Sequence, residues 1–282
     1  MKSLKQYIIE AKEKGVAVGH FNISNMEGFH AVTEVAKEMN LPVIIGLSEG
    51  ERDFFGVKEA SVLVKEKRDE GLPVFLNADH TYSFERVKEA IDAGFDAVIF
   101  DGAKLSLEEN IAETRKCVEY AKNCGREVLV EAELGYIGQS SKILDGVPEG
   151  VEVTTVEDAK RFVQETGVDL FAPAVGNIHG MLKDVPDPEL NIERIKEISD
   201  VTGLPLVLHG ASGNSKEDVQ NAIKNGVAIV HINTEVRVAF KEGLTDALAD
   251  NPNEVAPYKY LKEGVEAMKE VVREKLIIFN MK

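Results

Sequence analysis

The chain has 282 residues, 44 % of them apolar and 29 % charged, enough to bury a sizeable core in one α/β barrel of roughly 250 residues or in two smaller domains. Lys and Arg number 33 against 49 Asp and Glu, a net charge of −16. This balance excludes a binder of nucleic-acid backbone, which needs a basic face; it leaves open a small anionic substrate held in a locally positive site. In chain order, Met1–Gly15 reads as a charged amphipathic helix. It lacks the apolar core and cleavage site of a signal peptide. Eight short apolar runs follow, at Val16–Gly19, Val43–Leu47, Val74–Asn77, Ala97–Phe100, Val128–Glu131, Leu170–Ala172, Leu206–Leu208 and Val227–Ile232. Most are rich in β-branched residues and read as strands. Between them lie helical patterns: Glu27–Met39, Val57–Arg68, Phe84–Ala93, Leu107–Asn123, Thr155–Thr166, Ile192–Val201, Lys216–Lys224 and Glu235–Asp250. Ser106 with Glu109 and Ser215 with Asp218 have capping-box spacing. Pro257–Phe279 reads as a further amphipathic helix.

Strand alternating with helix means βαβ units and a parallel sheet. Eight units predict an α/β fold of the closed (β/α)8 barrel type, with additional N- and C-terminal helices and one domain over residues 1–282. An open doubly wound sheet would carry a dinucleotide fingerprint, and no G-x-G-x-x-G follows the first strand. The one long connection, Leu134–Thr154, holds Gly135, Gly138, Gly146 and Gly150. Connections of that length are usually functional, and this one reads as a mobile lid. Cys117 and Cys124 fall seven apart on one predicted helix, ~10 Å of rise, too far for a disulfide and consistent with inert thiols. No run reaches the ~18 apolar residues that span a bilayer. The expected compartment is the cytoplasm.

In a barrel enzyme the chemistry gathers at the carboxyl ends of the strands. Those ends carry His20-Phe21-Asn22, Ser48-Glu49-Gly50, Asn77-Ala78-Asp79-His80, Asp101-Gly102, Glu131-Ala132-Glu133, Gly176-Asn177-Ile178-His179-Gly180, His209-Gly210-Ala211-Ser212-Gly213 and His231-Ile232-Asn233-Thr234-Glu235. Five of the six histidines lie there, and only His30 falls within a helix. One histidine at a strand end is usually a hydrogen-bonded loop residue. His80, His179 and His209, from the third, sixth and seventh strands, can converge over the barrel mouth as three neutral imidazole ligands. Asp79 reads either as a helix cap or partner of a ligand, or as a general acid/base beside a Lewis acid. His209 to Gly213 opens a helix in a position suited to phosphate, and Lys183 adds charge nearby or is simply a solvated loop lysine.

These segments, in order and over essentially the full length, resemble the class II metal-dependent ketose-bisphosphate aldolases, which act on fructose and tagatose bisphosphates. The resemblance rests on Asp79-His80, Asp101-Gly102 with Glu108-Glu109-Asn110, Glu131 to Gly135, His179-Gly180, Leu206 to Gly213 and Asn233-Thr234-Glu235. It implies Zn2+ on His80, His179 and His209, with Asp79 as the acid/base. Asp101 and Glu133 match a second metal position of some members, and a monovalent cation is a further expected cofactor. Gly180, Lys183, Gly210, Ala211, Ser212, Asn233 and Thr234 match the positions that bind dihydroxyacetone phosphate. Asn22 and Ser48 match substrate-contacting positions. Arg237 matches an arginine that, in some members, reaches the far phosphate of a neighbouring subunit's substrate. The implied reaction is retro-aldol cleavage between C3 and C4, Asp79 taking the C4 hydroxyl proton. Sugar bisphosphate and triose phosphates are the implied partners, without nucleic acid or membrane, in a homodimer or homotetramer.

Three positions depart from the family pattern. His231, also counted among the substrate-binding positions, stands where an asparagine is usual. The lid reads Gly138-Gln139-Ser140-Ser141-Lys142 where glycines are followed by acids, so Asp145 and Glu149 are the nearest carboxylates. Ala103-Lys104 follows Asp101-Gly102 where serine is common. Asn233 and Arg237 resemble the fructose-type pattern more than the tagatose type. A Schiff-base aldolase would need a lysine at the end of the sixth or seventh strand, and none is there. A noncatalytic sugar-phosphate-binding barrel or partner subunit is the reading from another class; it would not need an acid/base at a metal.

Overall fold

The computed structural model describes residues 1–138, 141–185 and 187–281. Ten strands are present among them: β1 (Val18–Asn22), β2 (Val43–Leu47), β3 (Val74–Thr81), β4 (Ala97–Phe100), β5 (Leu129–Leu134), β6 (Ile143–Leu144), β7 (Leu170–Pro173), β8 (Met181–Leu182), β9 (Leu206–Leu208) and β10 (Val227–Ile232). Eight close into a parallel barrel in the order β1-β10-β9-β7-β5-β4-β3-β2. β6 and β8 pair in parallel outside it. The expected (β/α)8 architecture is therefore present.

The elements differ from expectation where capping and pairing override local pattern. Gly15, in the left-handed region, ends the helix Leu4–Lys14. Val16 and Ala17 then bond back to Ala11 and to Phe279 in the C-terminal helix, so β1 begins at Val18 rather than Val16. β3 and β5 continue past Asn77 and Glu131 into residues whose polarity suggested loop. A helix at Glu49–Phe55 was not expected, although Ser48 and Glu51 have capping-box spacing. Pro257–Phe279 divides at Leu261 into Pro257–Tyr260 and Lys262–Phe279. Cys117 is buried and Cys124 half-buried, both as free thiols.

Side chains along a strand alternate between the two faces of the sheet. One set fills the layer between strands and outer helices, with Phe21, Ile45, Leu76, Val98, Val130, Phe171 and Leu208 among its members. The other set points inward. Its lowest tier is apolar: Val18, Ile44, Phe75, Ala97, Leu129, Leu170, Val207 and Ile229. Leu4, Ile8 and Ala11 of the N-terminal helix close this end. Burying a side chain such as Ile8 stabilises by about 1.5–3 kcal/mol. The lower half of the barrel is thus a packed plug, and polar residues begin two positions further along five of the eight barrel strands, with Gly46, Ile99 and Ala172 at that level on the other three. No helix among the described residues is long and apolar enough to cross a membrane.

Candidate active site and metal centre

Counting in twos from the apolar tier places His20, Gly46, Asn77, Glu131, His209 and His231 at one level. Two residues further come Asn22, Ser48, Asp79, Glu133 and Asn233. The site is therefore the upward continuation of the barrel's inner face. His80 departs from this parity. It has φ of 41°, and the pairing of β3 with β4 shifts register between Ala78 and Thr81. A left-handed residue at such an irregularity re-aims the chain, and Asp79 and His80, although adjacent, both line the same pocket.

Ligand-type atoms of His80, Glu133, His179 and His209 all lie within 4.8 Å of one another. His80 Nδ1 stands 2.9 Å from Asp101 Oδ2 and 3.5 Å from Glu133 Oε1. His209 Nδ1 is 2.9 Å from Glu133 Oε1, and its Nε2 is 2.7 Å from Glu131 Oε1. Burial opposes a proton on His80, but Asp79, Glu133 and Asp101 outweigh it and push the imidazole up to about 10. Burial likewise opposes charge on His209, and Glu133 and Glu131 carry it well above the usual range. His179 goes the opposite way, held well below by burial and by the two neighbouring histidines. Its Nε2 is buried without a hydrogen-bond partner among the described residues. Carboxylates gathered around three imidazoles call for positive charge at their centre. Nitrogen and carboxylate donors of this kind fit a borderline-soft divalent cation.

Asp79 sits beside this cluster. Asn22 Nδ2 donates to its Oδ2 at 2.8 Å, while Oδ1 is buried without a partner among the described residues. Burial opposes its charge, but His80, His231 and His20 hold the carboxyl well below the usual range. His231 Nδ1 lies 3.5 Å from Asp79 Oδ1. On the other side His231 stacks on His20, with ring centroids 3.4 Å apart and planes 3° from parallel. The two are register partners on β1 and β10. Asn77 Nδ2 lies 3.1 Å from His20 Nε2; an amide nitrogen only donates, so that ring nitrogen accepts. Burial pushes the His20 imidazolium down to about 4, so the ring is neutral at pH 7. Gly46 completes the niche, since a Cβ there would stand 2.0 Å from His20 Cε1. Gly46→Ala is expected to cost about 1–3 kcal/mol by overpacking, read as a lower Tm in thermal unfolding; an unchanged Tm would mean that the niche yields freely.

The pocket above is lined by Asn22, Asp79, His80, Ser141, His179, Gly180, His209, Gly210, Ser212, His231, Asn233 and Thr234. Gly210 has φ of 59°, and a Cβ would stand 2.1 Å from the Ile178 carbonyl oxygen, so only glycine lets these loops approach. Ser212 Oγ and Asn233 Oδ1 are buried without partners among the described residues. Ala211, in the same loop, is buried. Asn233 Nδ2 donates to Ser141 Oγ at 3.2 Å, so the long connection reaches over the pocket. Gln139 and Ser140 of that connection lie outside the described residues. Asp145 and Glu149 are exposed and do not line the pocket. An outer cavity of about 380 Å³ adjoins it, with Ser48, Tyr82, Asp101, Lys142 and Arg237 among its lining residues. Lys183 is exposed and lines neither space.

Sequence reasoning assigned no role to Glu131, His20, Asn77 or Glu51. The first three were recoverable by stepping back two residues from Glu133, Asn22 and Asp79 on the same face. Glu51, on the unexpected helix, contacts Asn22 and Arg237, a pairing across the fold with no local sequence signal.

The fructose-bisphosphate aldolase of Staphylococcus aureus is 41 % identical over 283 residues, covering 99 % of this chain and 96 % of its own length. The 6-phospho-5-dehydro-2-deoxy-D-gluconate aldolase of Bacillus licheniformis is 40 % identical over 282 residues, covering 99 % and 94 %. Among solved structures, the YdjI aldolase from Escherichia coli K12 superposes with a TM-score of 0.82 at 30 % identity, over 99 % of this chain and 97 % of that one. The fructose-bisphosphate aldolase of Campylobacter jejuni shares the fold, with a TM-score of 0.80 at 24 % identity over 98 % and 94 %. The family described as fructose-bisphosphate aldolase class-II matches residues 2–282. Fold, site and relatives agree, and the chain belongs to the class II fructose-bisphosphate aldolase family of lyases.

Proposed function

We propose that this chain catalyses the reversible, zinc-dependent cleavage of fructose 1,6-bisphosphate to dihydroxyacetone phosphate and glyceraldehyde 3-phosphate. The observation that carries the reading is the convergence of His80, His179 and His209 beside the buried carboxylate Asp79. His80, His179 and His209 would hold Zn2+, with Asp101 and Glu133 available to a second metal position. A bound Zn2+ supplies Lewis-acid polarisation of the ketose carbonyl. Asp79 takes the C4 hydroxyl proton while the C3–C4 bond breaks and its electron pair passes toward the C2 carbonyl oxygen; C3 then takes one proton, replacing the one Asp79 accepted, and in condensation Asp79 returns its proton to the aldehyde oxygen. Asn22 aims Asp79 through the 2.8 Å hydrogen bond to Oδ2. Ser212 Oγ and Asn233 Oδ1, without partners among the described residues, suit the dihydroxyacetone phosphate half, with Gly180, Gly210 and Thr234 on the pocket wall and the buried Ala211 in the same loop. Lys183 acts there only if its loop turns inward. A monovalent cation beside that phosphate, a homodimer or homotetramer, one functional domain over residues 1–282 and a cytoplasmic setting complete the reading.

Tagatose 1,6-bisphosphate is the nearest alternative substrate, differing only at C4. The relative at 40 % identity is named for another phosphorylated substrate, which favours keeping other ketose phosphates in the comparison. The deciding experiment assays triose phosphate release from both bisphosphates before chelation, after it, and after zinc return. Activity is expected to fall to background on chelation and to recover with zinc. Cleavage that survives complete metal removal, or fully metallated protein that cleaves neither sugar, overturns the reading.

A further inference from the structure

Glu51 has the sequence position of a capping glutamate, which would ordinarily sit in solvent, yet it is only 5 % exposed. Its Oε2 accepts from the Ser48 backbone N–H at 2.7 Å and from Asn22 Nδ2 at 2.9 Å. Its Oε1 lies 2.5 Å from Arg237 Nη2, on a helix 186 residues away in the chain. A capping box accounts for the first contact and for neither of the others. Ser48 and Arg237 line the outer cavity, which shares His80, His179 and Asn233 with the inner pocket. This is the space into which the distal end of a sugar chain extends when its carbonyl end lies among the histidines.

A guanidinium, a side-chain amide and a backbone N–H are the donor types that receive a phosphate. Here the two such donors on the outer cavity, the Arg237 guanidinium and the Ser48 N–H, are committed to the Glu51 carboxylate, which also accepts from Asn22 of the inner pocket. A distal phosphate must compete with that carboxylate for Arg237, and it meets like-charge repulsion in a half-enclosed space where screening is weak. Lys142, also on the cavity wall, remains as a cation for such a phosphate. The discrimination is therefore levelled rather than reversed. We infer that Glu51 is a specificity-determining residue, whose carboxylate occupies the distal anion donors so that the site takes ketose 1-phosphates with a neutral distal hydroxyl alongside ketose bisphosphates. The inference rests on the aldol reading of the site and extends it to the class of substrate.

The test compares fructose 1,6-bisphosphate with fructose 1-phosphate on wild type and on Glu51→Gln. Zinc-loaded protein gives the ratio of kcat/KM, and calorimetry on chelator-treated protein gives the ratio of Kd. Wild type is expected to prefer the bisphosphate by less than about tenfold, and Glu51→Gln to raise that preference about tenfold or more. The Kd ratio should move in the same direction. Each ratio compares two ligands on one protein, so a general loss from a disturbed Asn22 or Asp79 cancels. Glu51→Ala also removes the charge, so either variant suffices if the other fails to fold. A wild-type preference above about tenfold, or a ratio that removal of the charge leaves unmoved, overturns the inference. If zinc-loaded wild type releases no dihydroxyacetone phosphate from either sugar, the aldol reading fails, and the Kd ratios still decide the role of Glu51.

Discussion

Asp79→Ala is expected to lower turnover about a thousandfold or more, within the range that general acid–base groups supply, while the zinc-to-protein ratio stays at the wild-type value. The two readouts separate because Asp79 lies outside the four-residue cluster formed by His80, Glu133, His179 and His209 and groups instead with His20 and His231. Its own contacts serve orientation and charge. Asn22 fixes one oxygen at 2.8 Å, and the other, without a hydrogen-bond partner among the described residues, lies 3.5 Å from His231 Nδ1 and 3.8 Å from His80 Nε2. Surrounding histidines hold the carboxyl well below the usual range despite its burial, so at neutral pH it is ionised and ready to accept a proton. Turnover measured beside metal content gives three distinct results. Loss of turnover alone places Asp79 in proton transfer. Loss of both makes it a metal ligand. Turnover equal to wild type removes it from the chemistry.

Much of this architecture is legible in the sequence, because a (β/α)8 barrel turns linear order into angular position. Eight short apolar runs alternating with amphipathic helices suffice for the closed sheet, and a polar residue at the end of a run lies at the mouth by construction. His179 and His209 are read this way without further information. The inner tiers are harder to see. β3 and β5 carry Asn77, Asp79, Glu131 and Glu133 inside their strands, where local polarity suggests a loop. The alternation that buries them shows only once the apolar tier beneath is known. The shared orientation of Asp79 and His80 depends on a left-handed His80 and a register shift, neither of which has a glycine to announce it. Arg237 with Glu51, and His20 with His231, are pairs separated by about the length of the barrel. Proximity between first and last strands follows from closure, but the side chains that meet there follow from register. Gly46 shows the same limit from the opposite side. In the sequence it is one apolar-run residue among five, and only the ring of His20 beside it explains the missing side chain.

His209→Ala is expected to affect both metal content and stability, for separable reasons. It removes one imidazole of the proposed zinc set, so bound zinc should fall to background after dialysis against dilute metal. It also breaks a pair sealed inside the barrel, His209 with Glu131, whose side chains are 2 % and 1 % exposed. An uncompensated buried charge costs about 3–5 kcal/mol. In a chain of this size that lowers Tm by roughly 10 °C. The measurement belongs on chelator-treated protein, where stabilisation by bound metal does not enter. Adding Glu131→Gln separates the two effects. The double variant no longer carries the Glu131 carboxylate, while Glu133 keeps His80 Nδ1 at 3.5 Å, so it should recover most of the lost Tm, yet it still lacks the ligand and should remain without zinc. If zinc stays bound at wild-type stoichiometry in the single variant, His209 is not a ligand, and its contacts with Glu131 and Glu133 are then purely structural. If zinc is lost but Tm is unchanged, Glu131 takes up a proton in the absence of its partner, and the pair contributes to orienting the metal ligand rather than to holding the barrel together.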